Sequence, residues 1–479
     1  MKMHVLAIDQ GTSSTKALVV SDSGEVVAES EVPVHPTAVG PHGVEQDAEE
    51  LFQSIVQAGR AALASAGVRV DAVGLANQGE TVVAWNSHGD AVSPAVSWQD
   101  RRSSLITDQM SGAAGRLREI TGLALDPYFT GPKLKWLSDR TRDDVRVTGI
   151  DAWLNFRLFG ECVTDAATAS RSLLLDLESR AWSPEAVALF DLDLRALPDV
   201  VDCAGTFGET NAFGPSIPVT GLAVDQQAAL IGEHCLSEGD AKCTYGTGAF
   251  LLVTTGRDAL RSKSGLSTSV AWQYGDDFSY CLDGQVYAAG SALEWLRKLG
   301  LIRSFEDLDG VARQATRGAK VVCVPSFTGL GAPYWEPRAT AHIEGMTLTT
   351  GPGDIVHAVL EGIAIHVTTL VRSVEADLAR PLTSLRVDGG LTHSSVLLQL
   401  QADLLQMPVE LFASPHATAL GIASLACVGS GHCTSLAPGR RDEGRRFEPK
   451  ISPSEAQERL ERWAGAAERV RAAVPRSEH

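Results

Sequence analysis

The first part of the chain alternates apolar and polar positions in runs that are separated by short turns. Residues 4–32, HVLAIDQGTSSTKALVVSDSGEVVAESEV, contain two apolar runs around a Gly/Thr/Ser turn, and an Asp-Ser-Gly turn then leads into a third alternating run. Alternation with a period of two, interrupted by glycine and hydroxyl residues, is typical of strands joined by tight turns. This segment therefore predicts a β-hairpin followed by a third strand.

A helix and another strand are predicted after the hairpin. In residues 45–67, EQDAEELFQSIVQAGRAALASAG, apolar side chains recur at helical spacing, as at Leu51, Ile55 and Ala62. Residues 70–79, VDAVGLANQG, have the pattern of a strand that ends in a loop. This order of elements indicates an α/β fold, in which functional sites lie where the strands end.

The second half of the chain repeats the same theme. Residues 240–256, DAKCTYGTGAFLLVTTG, again predict strand, Gly/Thr turn and strand, and residues 354–378 and 384–405 predict an amphipathic helix and a strand-turn-helix unit. We therefore expect a duplicated α/β fold with a cleft between two lobes. The expected division is an N-terminal lobe over residues 1–233, a C-terminal lobe over residues 234–435, and a loop and helix over residues 436–479 that pack on the second lobe.

Composition and charge exclude several classes of function. The 479 residues exceed the length at which a single core stops growing, which also favours two lobes. The formal net charge of −18 is spread without acidic runs and argues against a nucleic-acid partner or an anionic membrane surface. The sequence has neither a signal-peptide pattern nor an uninterrupted apolar run long enough for a membrane span. Eight scattered cysteines without CxxC pairs predict reduced thiols in a cytoplasmic protein.

Two Gly/Thr turns are candidate phosphate sites. In residues 8–16, IDQGTSSTK, a strand ends at Asp9, and a glycine, four consecutive hydroxyl residues and Lys16 follow. Successive N–H groups in a tight turn form an anion-binding concavity, to which hydroxyls and a lysine add ligands. Asp9 then lies where a magnesium ion that keeps most of its waters can bridge to phosphates. Residues 244–250, TYGTGAF, repeat this chemistry around Thr247, so the two turns together can hold one polyphosphate from both sides.

A carboxylate at a strand-to-helix junction is the third candidate. In residues 221–230, GLAVDQQAAL, Asp225 and Gln226 follow an apolar run and precede an alanine-rich helix. The Asp225 carboxylate either caps the helix, which is worth ~1 kcal/mol, or accepts the proton of an attacking hydroxyl. The residues alone leave both roles open. The chain has no Walker P-loop and no Rossmann G-x-G-x-x-G after a strand, which disfavours those two modes of nucleotide binding.

Together these segments resemble the FGGY family of carbohydrate kinases, and its glycerol kinases in particular. Motifs in the family's order and at close to its spacing cover roughly residues 4–430: IDQGTSSTK, NQGET, VSWQDRR, DPYFTGPKLKW, TDAATASRSLLLD, GLAVDQQAAL, TYGTGAF, FTGLGAPYWEPRATAHIEGMT, RVDGGL and TALG. The resemblance implies two RNase H-like lobes of the actin/hexokinase/Hsp70 type, with ATP and Mg²⁺ in the cleft. It also implies a phosphotransferase with an alcohol acceptor, and such kinases are often homodimers or homotetramers.

The resemblance also implies which residues hold the nucleotide and the metal. The matching nucleotide positions are Thr12, Ser13, Ser14, Lys16, Thr247, Gly248, Gly290, Glu294, Gly390 and Ser394. Glu294 replaces a glutamine of the family and Ser394 an asparagine of its glycerol kinases, so we expect an altered purine contact. The implied metal ligands are Asp9 and Asp225.

The acceptor pocket is implied residue by residue. The matching positions are Glu80, Trp98, Tyr128, Asp225, Gln226 and Phe250. Two carboxylates and an amide fix hydroxyls, while aromatic side chains cover the C–H face of a short carbon chain. Asp225 is the implied base for transfer of the ATP γ-phosphoryl group to a primary hydroxyl of glycerol, which gives glycerol 3-phosphate.

Two departures from the family bear on substrate and regulation. Glycerol kinases carry N-Q-R-E-T, whose arginine donates to substrate hydroxyls, whereas this chain has Gly79 at that position. Loss of a charged donor costs ~1.5 to 3 kcal/mol of binding unless another group replaces it. The freed volume would instead suit erythritol, a pentitol, ribulose or xylulose, and a non-catalytic sugar or nucleotide sensor is a remote alternative. Residues 206–219 lack the Gly-rich, Arg-ended loop that binds fructose bisphosphate in glycerol kinases, so we expect that control to be absent.

Overall fold

The predicted N-terminal hairpin is present in the computed structural model, which describes residues 2–142, 144–436, 439 and 444–474. Strands His4–Gln10 and Ser14–Ser21 pair antiparallel, with Asp9 opposite Lys16, and Val26–Pro33 adds the third strand. The turn between the first two strands is closed by the Gly11 N–H, which donates to the Ser14 carbonyl at 3.0 Å. The first Gly/Thr turn therefore lies at the end of a hairpin, as expected.

Six strands form the first sheet. Their spatial order is Ala204–Thr210, Ile217–Val224, Ala72–Asn77, His4–Gln10, Ser14–Ser21 and Val26–Pro33. The strands that end at Val224, Asn77 and Gln10 are parallel, so their carboxyl ends meet at one edge of the sheet. This edge places Asp9, the loop after Asn77 and the residue after Val224 close together, which is why residues far apart in the chain meet in one site.

A second, smaller sheet and several helices complete the N-terminal half. The sheet strands are Thr37–Val39, Gly43–Gln46, Ala95–Val96, Val82–Trp85 and Arg146–Gly149. Two short pairs join Val163–Asp165 to Asp199–Val201 and Leu175–Asp176 to Ala181–Trp182. The helices are Ala48–Ala66, Ser104–Gln109, Ala114–Thr121, Thr130–Ser138, Ile150–Phe159, Ala166–Ala169, Pro184–Leu189 and Asp225–Gly232.

The first long helix shows why the local sequence folds as predicted. Asp47 caps Ala48–Ala66 by accepting from the N–H groups of Glu49 and Glu50, and Gly67 ends the helix in the left-handed conformation. The apolar face of the helix is buried, so periodicity, cap and terminator all agree. Such agreement between local signals and packing makes this helix predictable from sequence.

The C-terminal half repeats the design with a seven-stranded sheet. Its order is Ser267–Tyr274, Asp277–Val286, Ala249–Gly256, Ala241–Tyr245, Leu385–Asp388, Val409–Leu411 and Arg446–Phe447. A short pair joins Val322–Val324 to His342–Glu344. The helices are Gly290–Lys298, Leu308–Ala312, Pro352–Leu378, Ser395–Leu405, Ala417–Gly429 and Pro453–Ala472. The fold is thus a duplicated α/β fold of two lobes, as the sequence predicts.

One helix of the C-terminal half packs on the N-terminal sheet. In the interface between Ala417–Gly429 and Asp225–Gly232, a Cβ on Gly421 would lie 1.7 Å from the Ala228 carbonyl oxygen. A Cβ on Gly232 would lie 1.8 Å from the Ala417 carbonyl oxygen. The two helices therefore approach closely through glycine, and the two halves interlock.

The longest helix and one pair of cysteines bear on the expectations about membrane spans and reduced thiols. Helix Pro352–Leu378 is long and apolar enough to cross a membrane, but 78% of its most apolar window is buried within the protein, as in a core helix. Cys427 and Cys433 form a disulfide, so the expectation that all eight cysteines are reduced thiols is wrong for this pair; the other six are free. Of the expected C-terminal segment, residues 437, 438, 440–443 and 475–479 lie outside the described residues.

Candidate active site

A cavity of about 210 Å³ lies between the two halves of the protein. The sequence-predicted residues that line it are Thr12, Ser13, Gly79, Glu80, Trp98, Tyr128, Asp225, Gln226, Thr247 and Phe250. Pockets for drug-sized ligands usually enclose about 300 to 1,000 Å³, so this cavity suits a smaller molecule. The structure therefore brings the predicted acceptor residues together with parts of both Gly/Thr turns.

The second Gly/Thr turn is held against the start of a helix. The Gly246 N–H donates to the Gly248 carbonyl at 2.8 Å, and the Gly290 N–H donates to the Gly246 carbonyl at 3.0 Å. A Cβ on Gly290 would lie 2.7 Å from the Gly246 carbonyl oxygen, which leaves no room for a side chain there. The turn and the N-terminus of Gly290–Lys298 thus form one rigid unit beside the cavity.

Aromatic side chains from both halves form one wall of the cavity. The Trp98 ring makes edge-to-face contacts with Tyr128 and Phe250, with ring centroids 5.9 Å and 5.7 Å apart. The Trp98 indole N–H also donates to Thr12 Oγ1 at 2.9 Å. This bond connects the aromatic wall to the first Gly/Thr turn, so the positions of the two are coupled.

Asp225 lies at the start of a helix but is not its N-cap. It is the first residue of helix Asp225–Gly232, whose N-cap is Val224, and its Oδ1 accepts from the Gln226 N–H at 2.7 Å. The pKa of Asp225 is raised to about 6, chiefly by burial and also by the nearby Glu80 carboxylate, while Lys242 opposes the rise. A carboxylate with this pKa is ionised at neutral pH and is close to the optimum for accepting a proton.

Glu80 belongs to a buried ion network that joins the two halves. It has a positive φ of 57°, which is rare for a residue with a side chain and often marks a functional position. Its Oε1 accepts from Arg171 Nε at 2.7 Å, and Arg171 Nη1 donates to Asp283 Oδ2 at 2.5 Å. Burial raises the pKa of Glu80, and the Arg171 guanidinium opposes that rise. Arg171 and Asp283 both line the cavity.

Sequence reasoning missed several polar residues at the cavity, and four of them determine its charge and buried hydrogen bonds. They are Arg171, Lys242, Asp283 and Gln285. Lys242 lies behind the lining, fully buried, and donates from Nζ to Gln226 Oε1 and Thr244 Oγ1, both at 2.7 Å. A charged residue inside an apolar run, as in AKCTY or SRSLLL, was the available signal, because a buried charge requires a partner.

The environment of Asp9 is suited to a cation. The pKa of Asp9 is raised to about 7, chiefly by burial and also by the nearby carboxylates of Asp225 and Asp388, while Lys16 opposes the rise. In the part of the chain that the structure describes, no group of three or more His, Cys, Asp or Glu side chains is arranged to hold a metal ion. Two carboxylates that share the ion with phosphates and waters are typical of magnesium, so the residues fit such an ion.

Several predicted nucleotide and metal residues do not line the cavity. They are Asp9, Ser14, Lys16, Gly248, Gly290, Glu294, Gly390 and Ser394. The Glu294 carboxylate pairs with Arg297 on its own helix at 2.6 Å. Ser394 caps helix Ser395–Leu405 and donates to Asp309 Oδ1 at 2.5 Å. The roles of these residues at a nucleotide stay predictions.

Comparison with known proteins agrees with this architecture. Residues 4–232 match the N-terminal domain of the FGGY family of carbohydrate kinases, and residues 241–430 match its C-terminal domain. The chain is 40% identical to a glycerol kinase from Dechloromonas aromatica, with 97% of each chain covered, and 40% identical to one from Aromatoleum aromaticum, with 98% and 99% covered.

Solved structures give the same result. A glycerol kinase of Plasmodium falciparum with ADP superposes with a TM-score of 0.87 at 30% identity over 99% of both chains. A xylulose kinase of Lactobacillus acidophilus, at 20% identity and a TM-score of 0.89 over 98% and 99% of the chains, shares the fold. With both family domains matched in order and near-full-length relatives at this identity, the chain belongs to the FGGY family of carbohydrate kinases.

Proposed function

We propose that this protein transfers the γ-phosphoryl group of ATP to a primary hydroxyl of glycerol and releases ADP and glycerol 3-phosphate. The observation that carries the proposal is the position of Asp225, which lines a small cavity with Thr12 of the first Gly/Thr turn and Thr247 of the second. The 40%-identical relatives that cover nearly the whole chain are named glycerol kinases, which supports this acceptor.

The cavity provides the groups that a short polyol needs. Glu80, Asp225 and Gln226 supply oxygen and amide groups for hydroxyls, and Trp98 and Tyr128 are two of the aromatic side chains that cover the carbon chain. Asp225 accepts the proton of the attacking hydroxyl, because its carboxylate is ionised at neutral pH and an alcohol is a poor nucleophile without a base. Positioning the hydroxyl beside the phosphate then supplies much of the rate enhancement.

The two Gly/Thr turns bind the phosphates in this proposal. The first turn contributes Thr12, Ser13, Ser14 and Lys16, the second contributes Thr247 and Gly248, and Gly290, Glu294, Gly390 and Ser394 line the path of the adenosine. Asp9 and Asp225 are the residues that would hold Mg²⁺, which neutralises phosphate charge when bound. Closure of the two halves around the substrates would exclude water and suppress hydrolysis of ATP.

The proposal also covers location, assembly and lobe boundaries. We place the enzyme in the cytoplasm, where ATP is available, and expect a homodimer or homotetramer. We take residues 1–233 as the lobe of the acceptor pocket, residues 234–435 as the lobe of the adenosine site, and residues 436–479 as a segment on the second lobe. Size-exclusion chromatography with light scattering measures the assembly directly.

The test of the proposed function is a panel of acceptors with ATP and Mg²⁺. Glycerol, erythritol, the pentitols, ribulose and xylulose are compared by kcat/KM, with ADP release and acceptor phosphorylation both measured. We expect the highest kcat/KM for glycerol and no ATP turnover above background without an acceptor. A higher kcat/KM for a four- or five-carbon acceptor would contradict the proposed substrate.

A further inference from the structure

Arg171 is a buried cation with a donor group that the protein does not use. It is 5% exposed, it follows the short helix Ala166–Ala169, and its Nε and Nη1 donate to Glu80 and Asp283. Its Nη2 makes no hydrogen bond to any described residue, although the side chain lines the cavity. A guanidinium has five N–H donors, so the Nη2 group is available to a bound molecule.

Gln285, which is bonded to the same Asp283 carboxylate as Arg171, offers an unused hydrogen-bond acceptor. Gln285 Nε2 donates to Asp283 Oδ1, and the Gln285 Oε1 atom is buried without a hydrogen-bond partner among the described residues. Gln285 is 2% exposed and lines the cavity. Burying an unpaired amide oxygen is unfavourable, so a bound molecule that donates to this atom gains from pairing it.

Other cations near the cavity are already committed. Lys133 Nζ donates to the carbonyl groups of the loop at 127–129, and Lys242 Nζ donates to Gln226 and Thr244. Arg171 is the one cationic side chain among the described residues that line the cavity. No side chain reaches the cavity from position 79, and a Cβ there would lie 2.9 Å from Val224 Cγ2. Positive charge in the pocket therefore comes from Arg171.

We propose that Arg171 and Gln285 are specificity-determining residues that together bind one hydroxyl of the acceptor that is not phosphorylated. Arg171 Nη2 donates to the hydroxyl oxygen, and the hydroxyl hydrogen is donated to Gln285 Oε1. A hydroxyl satisfies both groups because it is at once an acceptor and a donor. Asp283 holds the two side chains side by side, one on each carboxylate oxygen. The proposal rests on the proposed function, since it describes how that pocket selects a polyol.

The test combines protein variants with acceptors that lack one hydroxyl. Kinetics of wild type, Arg171→Lys and Gln285→Met are measured with glycerol, 1,2-propanediol and 1,3-propanediol. We expect a 10- to 100-fold rise in the KM for glycerol in each variant and a change below twofold in the KM for ATP, as for a lost hydrogen bond to a charged or buried group. For the diol that lacks the bound hydroxyl, wild type and variants should have the same KM.

Controls separate substrate binding from a structural role. Arg102 also bridges two carboxylates, Asp100 and Glu45, at 2.7 Å and 2.8 Å, but does not line the cavity. Arg102→Met should leave the KM for glycerol within twofold of wild type. If the two pocket variants instead impair glycerol and both diols by equal factors, Arg171 and Gln285 act only on the fold and the inference is wrong. If wild type fails to phosphorylate glycerol, the proposed function itself is wrong, which is a distinguishable result.

Discussion

Gly79→Ala is expected to impair the enzyme although it adds a single methyl group. A Cβ at position 79 would lie 2.9 Å from Val224 Cγ2, closer than real Cβ contacts allow. Gly79 is not among the residues with positive φ, so its backbone conformation suits alanine and the cost arises from this contact alone. Overpacking of this kind costs about 1 to 3 kcal/mol.

The contact also reaches the proposed base, because Val224 directly precedes Asp225 and is the N-cap of its helix. A displacement near 1 Å at a reacting group lowers the rate by about 100-fold. We therefore expect a fall of 10- to 100-fold in kcat for Gly79→Ala. The expected fall in melting temperature is about 2 to 12 °C, from about 2 to 4 °C per kcal/mol for a lobe of this size.

The assay is steady-state phosphorylation of glycerol together with thermal unfolding. Gly112→Ala is the matched control, since a Cβ there meets no atom within 4 Å and its φ is not positive. Val224→Ala removes the methyl group in question, so Gly79→Ala combined with Val224→Ala should recover most of the lost kcat. Wild-type kinetics for Gly79→Ala, or no recovery in the double variant, would refute the steric reasoning.

Four further outcomes are expected. Asp225→Asn should lower kcat by about 100- to 10,000-fold with little change in the melting temperature, because it removes a general base. Lys242→Met should raise the pKa of Asp225 and move the acid limb of the kcat/KM profile to higher pH, since Lys242 lowers that pKa. Burial raises the pKa of Asp151 to about 7, so the folded protein binds the extra proton between pH 4 and pH 7 and loses stability as pH rises through that window. Denaturant unfolding at pH 4 and pH 7 should show that the free energy of unfolding falls less between these two pH values in Asp151→Asn than in wild type. Fructose bisphosphate at cellular concentrations should leave glycerol phosphorylation unchanged in rate assays.

The elements and the position of the site were predictable for local reasons. Alternation of apolar and polar residues around a Gly/Thr turn predicts each hairpin. The helical spacing of apolar residues and Asp47 at the start predict helix Ala48–Ala66. The position of Asp225 at the end of a strand was predictable, because parallel strands end at one edge of a sheet, and its role stays a prediction. The loop at 206–219 forms parts of two paired strands, Ala204–Thr210 and Ile217–Val224, with a short connection.

The rest depended on pairs that sequence separation conceals. Arg171 and Asp283 are 112 residues apart in the sequence, and each is a buried charge that requires the other as its partner. The expectation that Gly79 frees volume for a longer acceptor is not favoured, because a Cβ at position 79 would already lie 2.9 Å from Val224 Cγ2 on another strand. A residue missing from one wall of a pocket therefore predicts new specificity only if the facing wall is unchanged. In this chain the facing wall carries the β-branched Val224, and Arg171 from a third element supplies the positive charge of the pocket.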